Sequence, residues 1–274
     1  MLDYKTMVNE NHHGLMVILN VERGFGMKHN IYAACGSNIG NVRKNNEDNF
    51  CFNGKYLDVK NANIPSCLKY DDVITDGLSF ALFDGMGGGH FGEIASYTAA
   101  KYMADIKMQT CGISNLSELI ELLNLAVVKE QQKLIANDMG TTMASIHFSR
   151  NNIFICNIGD SRVYRVRRES FLQLSVDHVE KIGYYKSGKP MLTQCLGMDP
   201  EEVLIVPHIL KRKFESGDVY LLCSDGLTDM VSDFEIHKIL SDNKDAEIIV
   251  NELISLALER GGKDNITIIV CIIN

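Results

Sequence analysis

Hydrophobic and polar positions along the chain switch between two periods. Short apolar or alternating runs at 31–36, 49–52 and 78–84 read as strands. A helical pattern covers 92–108. A second helix is expected to begin near Asn115, with Glu118 three residues on as a capping box. Leu116, Leu119, Ile120, Leu123, Val127 and Leu134 then recur at helical spacing and mark its buried stripe. From Gly140 the period becomes two, and strands are expected at 141–148, 153–158, 161–166, 171–174, 203–210 and 218–223. Helices at 228–240 and 245–260 follow. Ile249, Leu253, Leu256 and Ala257 form the apolar face of the last one, and Gly261-Gly262 stops it. The final run, 266–273, is almost wholly apolar and fits the centre of a sheet. Residues 53–76 read as a polar loop. A meander of strands with paired helices predicts an α+β protein, antiparallel sheets covered by helical hairpins, rather than a doubly wound parallel sheet.

Composition narrows this picture. The 274 residues are 46% apolar and 23% charged, with only 4 prolines and no Gly/Ser-rich linker, which predicts one domain with a sizeable core. The formal net charge of −8 disfavours a nucleic-acid-binding face. The 8 cysteines are scattered without a C-x-x-C pair, and Cys156, Cys223 and Cys271 sit in apolar runs as small core residues do. That argues against a zinc or disulfide framework and suits a reducing cytoplasm. No apolar run has membrane-spanning length, and 15–19 is too short for a signal-peptide core. Residues 1–26 are expected to be a disordered or non-native extension. Glu22-Arg23-Gly24 can be encoded by a purine-rich run resembling a ribosome-binding sequence, which makes Met27 the expected start and 27–274 the domain. His12, His13 and His29 are read as part of this lead-in, without a metal role.

The candidate chemistry lies at strand ends. The run 80–93 carries an apolar strand into Asp84, a glycine-dense turn and then a helix. Asp160 lies between two strands, Asp225 directly follows one, Asp264 precedes the last, and Glu47-Asp48 precede the second. Each alone is equally a turn residue, because Asp and Gly fill turns for backbone reasons. Together they form a set of rigidly held carboxylates whose mutual repulsion a cation would relieve. Oxygen ligands without His or Cys point to Mg²⁺ or Mn²⁺. The run Cys156 to Arg162 also fits the C-x5-R phosphate loop of cysteine-dependent phosphatases. There the loop should enter a helix; here a strand continues and an acid sits inside the loop, so the match is accidental.

The ordered motifs, Arg43 to Asp48, Asp84 to Ser96, Gly140-Thr141-Thr142, Gly159 to Arg162, Ser224-Asp225-Gly226 and Lys263-Asp264-Asn265, resemble the metal-dependent type 2C Ser/Thr protein phosphatases in their bacterial form. The resemblance runs from about Ala33 to the C-terminus. It implies a four-layer α/β/β/α sandwich, two packed antiparallel sheets flanked by helical pairs. It implies that Asp84 bridges two Mn²⁺ or Mg²⁺ ions, that the Gly85 carbonyl binds one, and that Asp225 and Asp264 complete one shell. Glu47 and Asp48 would hold metal-bound water, and Asp160 would serve a third metal site with Asp225. Arg43 would bind the substrate phosphate and Asn265 would orient a ligand. The implied reaction is hydrolysis of phosphoserine or phosphothreonine in proteins by a water bridging the two ions.

The same resemblance implies phosphoprotein substrates, an opposing bacterial Ser/Thr kinase and a monomer in the cytoplasm, with no nucleic acid or membrane partner. Its rivals are a non-catalytic regulatory module on the same fold and a phosphatase dedicated to one phosphoserine switch protein. Met86 and Gly89 stand where some members carry histidine, and His90, displaced by one, receives no catalytic role. The flap at 179–191 is shorter than in most bacterial members, and Gly183, Gly188 and Pro190 predict a mobile loop there.

Overall fold

The computed structural model describes residues 29–59, 63–64, 66–86, 91–106, 112–136, 138–149, 152–184, 190–242 and 245–274. The extension at 1–26, His12 and His13, and the Gly89 and His90 positions lie outside them. His29 is described and packs edge-on against Phe214, with ring centroids 5.3 Å apart.

In chain order the elements are β1 (Asn30–Asn38), β2 (Asp48–Phe52), β3 (Leu68–Val73), β4 (Ser79–Met86), α1 (Gly92–Asp105), α2 (Ile113–Leu134), β5 (Gly140–Thr141), β6 (Met143–Ser149), β7 (Asn152–Ile158), β8 (Arg162–Arg167) and β9 (Ser170–Gln173). There follow β10 (Val179–Tyr184), β11 (Pro190–Leu192), β12 (His208–Lys213), β13 (Val219–Cys223), α3 (Asp225–Thr228), α4 (Asp233–Asp242), α5 (Ala246–Glu259) and β14 (Ile266–Ile273). One antiparallel sheet runs β3-β1-β14-β13-β8-β9, and the other runs β12-β7-β6-β4-β2 with β5 beside β4. All eight residues of β14 are buried, as its unbroken apolar run requires of a strand between β1 and β13.

Three apolar layers hold the four structural layers together. Phe50, Phe80, Phe148, Tyr220 and Ile269 fill the space between the sheets. Leu221, Ile249, Leu253 and Val270 join the first sheet to its helices, and Phe83, Leu116, Leu123 and Cys156 join the second sheet to α1 and α2. Fully burying one such Leu, Ile or Phe side chain contributes about 1.5–3 kcal/mol. The architecture is the expected α+β sandwich.

Several local expectations shift. The stretch read as a loop at 53–76 contains β3, an edge strand whose Leu68 and Tyr70 pack inward while Lys69, Asp71 and Asp72 carry the charge that edges favour. Helix α2 starts at Ile113 with Gly112 as N-cap and no side-chain cap, so the box at Asn115 is not used. A box forms instead at α4, where the Ser232 amide and hydroxyl both donate to the Glu235 carboxylate, at 3.2 and 2.6 Å. The helix expected at 228–240 is α4, which starts later, at Asp233, and the short α3 at Asp225–Thr228 precedes it. The strand expected at 203–210 begins at His208, because 203–207 run as coil. Of the 179–191 flap, read as a loop, the described residues 179–184 and 190–191 belong to the paired strands β10 and β11, while 185–189, Gly188 among them, lie outside the described residues.

Candidate metal centre

The acids meet at one end of the sandwich, delivered by both sheets. Asp48 opens β2 and lies directly opposite Asp84 of β4 in the antiparallel register. Residues so paired point to the same face, where like charges destabilise the sheet. Asp160 sits in the bend between β7 and β8, Asp225 starts α3 immediately after β13, and Asp264 precedes β14.

Asp84 is the focus of this arrangement. Desolvation, followed by the charges of Asp48, Asp225, Asp160 and Asp264, pushes its carboxyl well above the usual carboxylate range. The residue nevertheless keeps part of its surface exposed. Asp48 is fully buried, and burial raises it to about 7, although Ser224 and Thr267 hydrogen bonds favour its charged form. Ser224 Oγ donates to Asp48 Oδ2 at 2.8 Å, while Asp48 Oδ1 is buried without a protein partner.

The backbone crosses itself closely beneath these acids. A Cβ on Gly85 would lie 2.2 Å from the Gly92 carbonyl oxygen and 2.4 Å from that of Glu47, so only glycine lets β4 turn there. The Gly85 amide donates to the Glu47 carbonyl at 3.0 Å. Gly226 is tighter still, because its Cβ would sit 1.9 Å from the Asn265 carbonyl oxygen.

Arg43 and Asn265 act at the rim. Arg43 Nη2 donates to Asp264 Oδ2 at 2.7 Å, and the guanidinium remains half-exposed. Burial works against its charge, but the Asp264 hydrogen bond and the charges of Asp264, Glu47 and Asp225 outweigh this and raise its pKa. Asn265 is buried and fully engaged with the loop after β1. Its Nδ2 donates to the Ile39 and Asn45 carbonyls, both at 2.9 Å, and its Oδ1 accepts the Glu47 amide at 2.8 Å. These bonds tie Asn265 to the loop that carries Arg43 and Glu47.

Sequence reasoning missed the hydroxyl network below Asp48. The Thr267 amide donates to Ser224 Oγ at 3.0 Å, Ser37 Oγ and Thr267 Oγ1 are 2.9 Å apart, and Asn46 Nδ2 donates to Ser37 Oγ at 3.0 Å. Isolated Ser and Thr residues at strand ends carry no signal that they share one network. Cys156, from the rejected C-x5-R match, is buried in the core under α1 and α2, and Arg162 forks onto Asp177.

The family model for protein phosphatase 2C matches residues 70–257. The chain belongs to the protein phosphatase 2C family. This type 2C chain is 33% identical to protein phosphatase PhpP of Streptococcus pneumoniae over 206 residues, 68% of this chain and 82% of that protein. It is 28% identical to the serine/threonine phosphatase Stp of Listeria innocua over 209 residues, 68% of this chain and 81% of that protein. The crystal structure of the catalytic domain of the serine/threonine phosphatase PstP, in complex with two manganese ions, superposes with a TM-score of 0.71 at 28% identity. It covers 89% of this chain and 99% of that one.

The donor set of this type 2C chain fits a hard divalent cation. It offers carboxylates, a buried orphan carboxylate oxygen at Asp48, and like charges set opposite one another in register. Among the described residues no three acidic, histidine or cysteine side chains close into a complete cage. Mg²⁺ and its analogues suit such a site, since they dehydrate reluctantly and keep several waters.

Proposed function

We propose that the protein is a metal-dependent phosphatase that hydrolyses phosphoserine and phosphothreonine in proteins. The observation that carries this reading is the convergence of four carboxylates on Asp84, with one arginine at their rim. Two Mn²⁺ or Mg²⁺ ions, with a third beside Asp160, would be held by Asp84, the Gly85 carbonyl, Asp225 and Asp264. When bound, they supply Lewis acidity toward water and toward the phosphoryl oxygens.

The chain's own residues do the rest. Glu47 and Asp48 hold and orient water beside Asp84. The guanidinium of Arg43 presents a planar fork to two phosphoryl oxygens and offsets the charge that develops on them. Asn265 fixes the loop on which Arg43 and Glu47 sit. No side chain serves as a covalent nucleophile, since water attacks phosphorus in line.

Family membership supports phosphoprotein substrates, and with them an opposing Ser/Thr kinase of the same cell. The scattered, mostly buried cysteines support a reducing cytoplasm. No described helix is long and apolar enough to cross a membrane.

The test is turnover of a phosphothreonine peptide with Mn²⁺, with EDTA in its place, and with Mn²⁺ for Asp225→Asn. Activity is expected only in the first condition. Equal turnover with EDTA would overturn the metal mechanism. Full Mn²⁺ binding without turnover of any phosphopeptide would favour a non-catalytic regulatory role.

A further inference from the structure

Among the described residues, four buried side-chain polar atoms lack a hydrogen-bond partner. Asp48 Oδ1 belongs to the metal centre, and His147 Nδ1 sits within β6. The other two, Arg165 Nε on β8 and His208 Nδ1 on β12, lie on one edge of the sandwich.

That edge is a cleft between the two sheets. Strand β12 is the outermost of its sheet, and β8 and β9 end the other. Strand β8 packs on β6 and β7. At its end Arg167 Nη2 donates to the Lys213 carbonyl, at the end of β12, at 3.0 Å. The alternation of strand side chains decides which residues face the gap. Leu210 packs on the core between the sheets, so His208 and Arg212, two positions to either side, share its face. Val163 belongs to the same core, so Arg165 shares that face, with Tyr220 and Leu172 opposite it in register. Lys211 points the other way and lies over the Phe154 ring, 5.5 Å from its centroid.

The edge is basic in a chain whose net charge is −8. Strand β12 reads His-Ile-Leu-Lys-Arg-Lys, and Lys211, Arg212 and Lys213 are exposed. Among the described residues no carboxylate pairs with any of these three or with Arg165. Arg212 Nη1 donates to the Lys211 carbonyl at 3.0 Å. Arg167, two positions from Arg165, is by contrast held by Asp218 and Glu215.

Lysines also guard edge strands against pairing. Edge strand β3 does so with mixed charge, Lys69 beside Asp71 and Asp72. A guard has no use for a buried guanidinium nitrogen without an acceptor, which costs free energy until an acceptor arrives.

We propose that the β8–β12 edge is a docking surface for an extended, acidic segment of a partner protein. The segment adds to β12 as a further strand and sets its carboxylates against Arg165, Arg212 and Lys213. Main-chain bonds to an outermost strand supply affinity, and arginine forks select carboxylates. A nucleic acid suits the surface less, because its continuous negative charge would meet the acidic remainder of the chain. The docking surface is separate from the acids around Asp84 and stands whether or not the chain is a phosphatase.

The experiment is fluorescence anisotropy on the full chain with a labelled, alternating Glu-Thr peptide of about eight residues, enough to span a strand. The Gln-Thr counterpart and a uridine oligonucleotide of equal length are the comparison probes. Wild type should bind the acidic peptide at least roughly tenfold more tightly than either. Arg212→Glu and Arg165→Met should each weaken it roughly tenfold. Lys129→Glu, a charge reversal on the exposed face of α2, should change it less than about twofold. Bound peptide should also slow amide hydrogen exchange within 208–213. No preference for the acidic peptide, equal binding of the oligonucleotide, equal loss in Lys129→Glu, or unchanged exchange along β12 would each overturn the proposal. Should Arg165→Met not fold, Arg212→Glu carries the test from an exposed side chain.

Discussion

Ser224 Oγ donates to Asp48 Oδ2 at 2.8 Å and so links the end of β13 in one sheet to the start of β2 in the other. The same oxygen accepts the Thr267 amide, and the next residue in sequence is Asp225. One hydroxyl therefore sets the separation of two acids that arrive from different sheets. Ser224→Ala should leave Asp48 buried with a second carboxylate oxygen short of a donor. A hydrogen bond to a charged group contributes about 1.5–3 kcal/mol, so Mn²⁺ affinity should weaken roughly tenfold or more. Titration calorimetry with Mn²⁺, alongside a thermal melt, checks this; unchanged affinity would remove Ser224 from the site.

Gly226→Ala tests whether the crossing of α3 over the Asn265 carbonyl places Asp225. Its Cβ would stand 1.9 Å from a backbone oxygen, which no side-chain rotation can relieve. The backbone must move, at a cost of roughly 3 kcal/mol. Urea unfolding should show that loss, and Mn²⁺ binding should weaken with it. Gly54→Ala is the control: an added Cβ there meets nothing within 4 Å, although its φ of 80° carries a smaller backbone cost.

The acids themselves were legible in the sequence because each follows or precedes an apolar run that must be a buried strand, and such strands hold their ends rigidly. The order of strands and paired helices was legible for the same reason, whereas the four-layer packing was implied only by the resemblance to type 2C phosphatases. Edge strand β3 was not, since Lys69, Asp71 and Asp72 suppress aggregation at an edge and erase the apolar signal. The start of α2 was misplaced because Asn115 and Glu118 offered a cap that the chain does not use. Nor could the network from Asn46 through Ser37 and Thr267 to Ser224 be read. Ser37 and Thr267 are 230 positions apart, and only the pairing of β1 with β14 brings them together.

His147 gives a pH dependence located away from the metal centre. It is fully buried on β6, its Nε2 lies 3.0 Å from Ser145 Oγ, and burial lowers its pKa to about 4. The unfolded imidazole titrates near 6.5, so between these values the unfolded chain binds more protons than the native one. Native stability is thus full above about pH 6.5 and falls as pH drops toward 4, by about 3 kcal/mol for this group. Urea melts at pH 7 and pH 4.5 should show a larger drop for wild type than for His147→Gln. Equal drops would mean that another group sets the acid limit.

Arg43 and Asp264 set up a competition that can be measured from both sides. Arg43 Nη2 occupies Asp264 Oδ2 at 2.7 Å, and its positive charge lies within reach of Glu47 and Asp225. A cation bound among those acids and the guanidinium repel one another, whereas a phosphate between them is attracted to both. Arg43→Ala should therefore bind Mn²⁺ at least as tightly as wild type, while KM for a phosphothreonine peptide rises roughly tenfold or more through loss of the fork. Arg43→Lys keeps the charge without the fork, so it should leave Mn²⁺ affinity near wild type and still raise KM. Calorimetry and steady-state kinetics on the same preparations separate these effects. Weaker Mn²⁺ binding in Arg43→Ala would show that Arg43 organises Asp264 for the metal instead of competing with it.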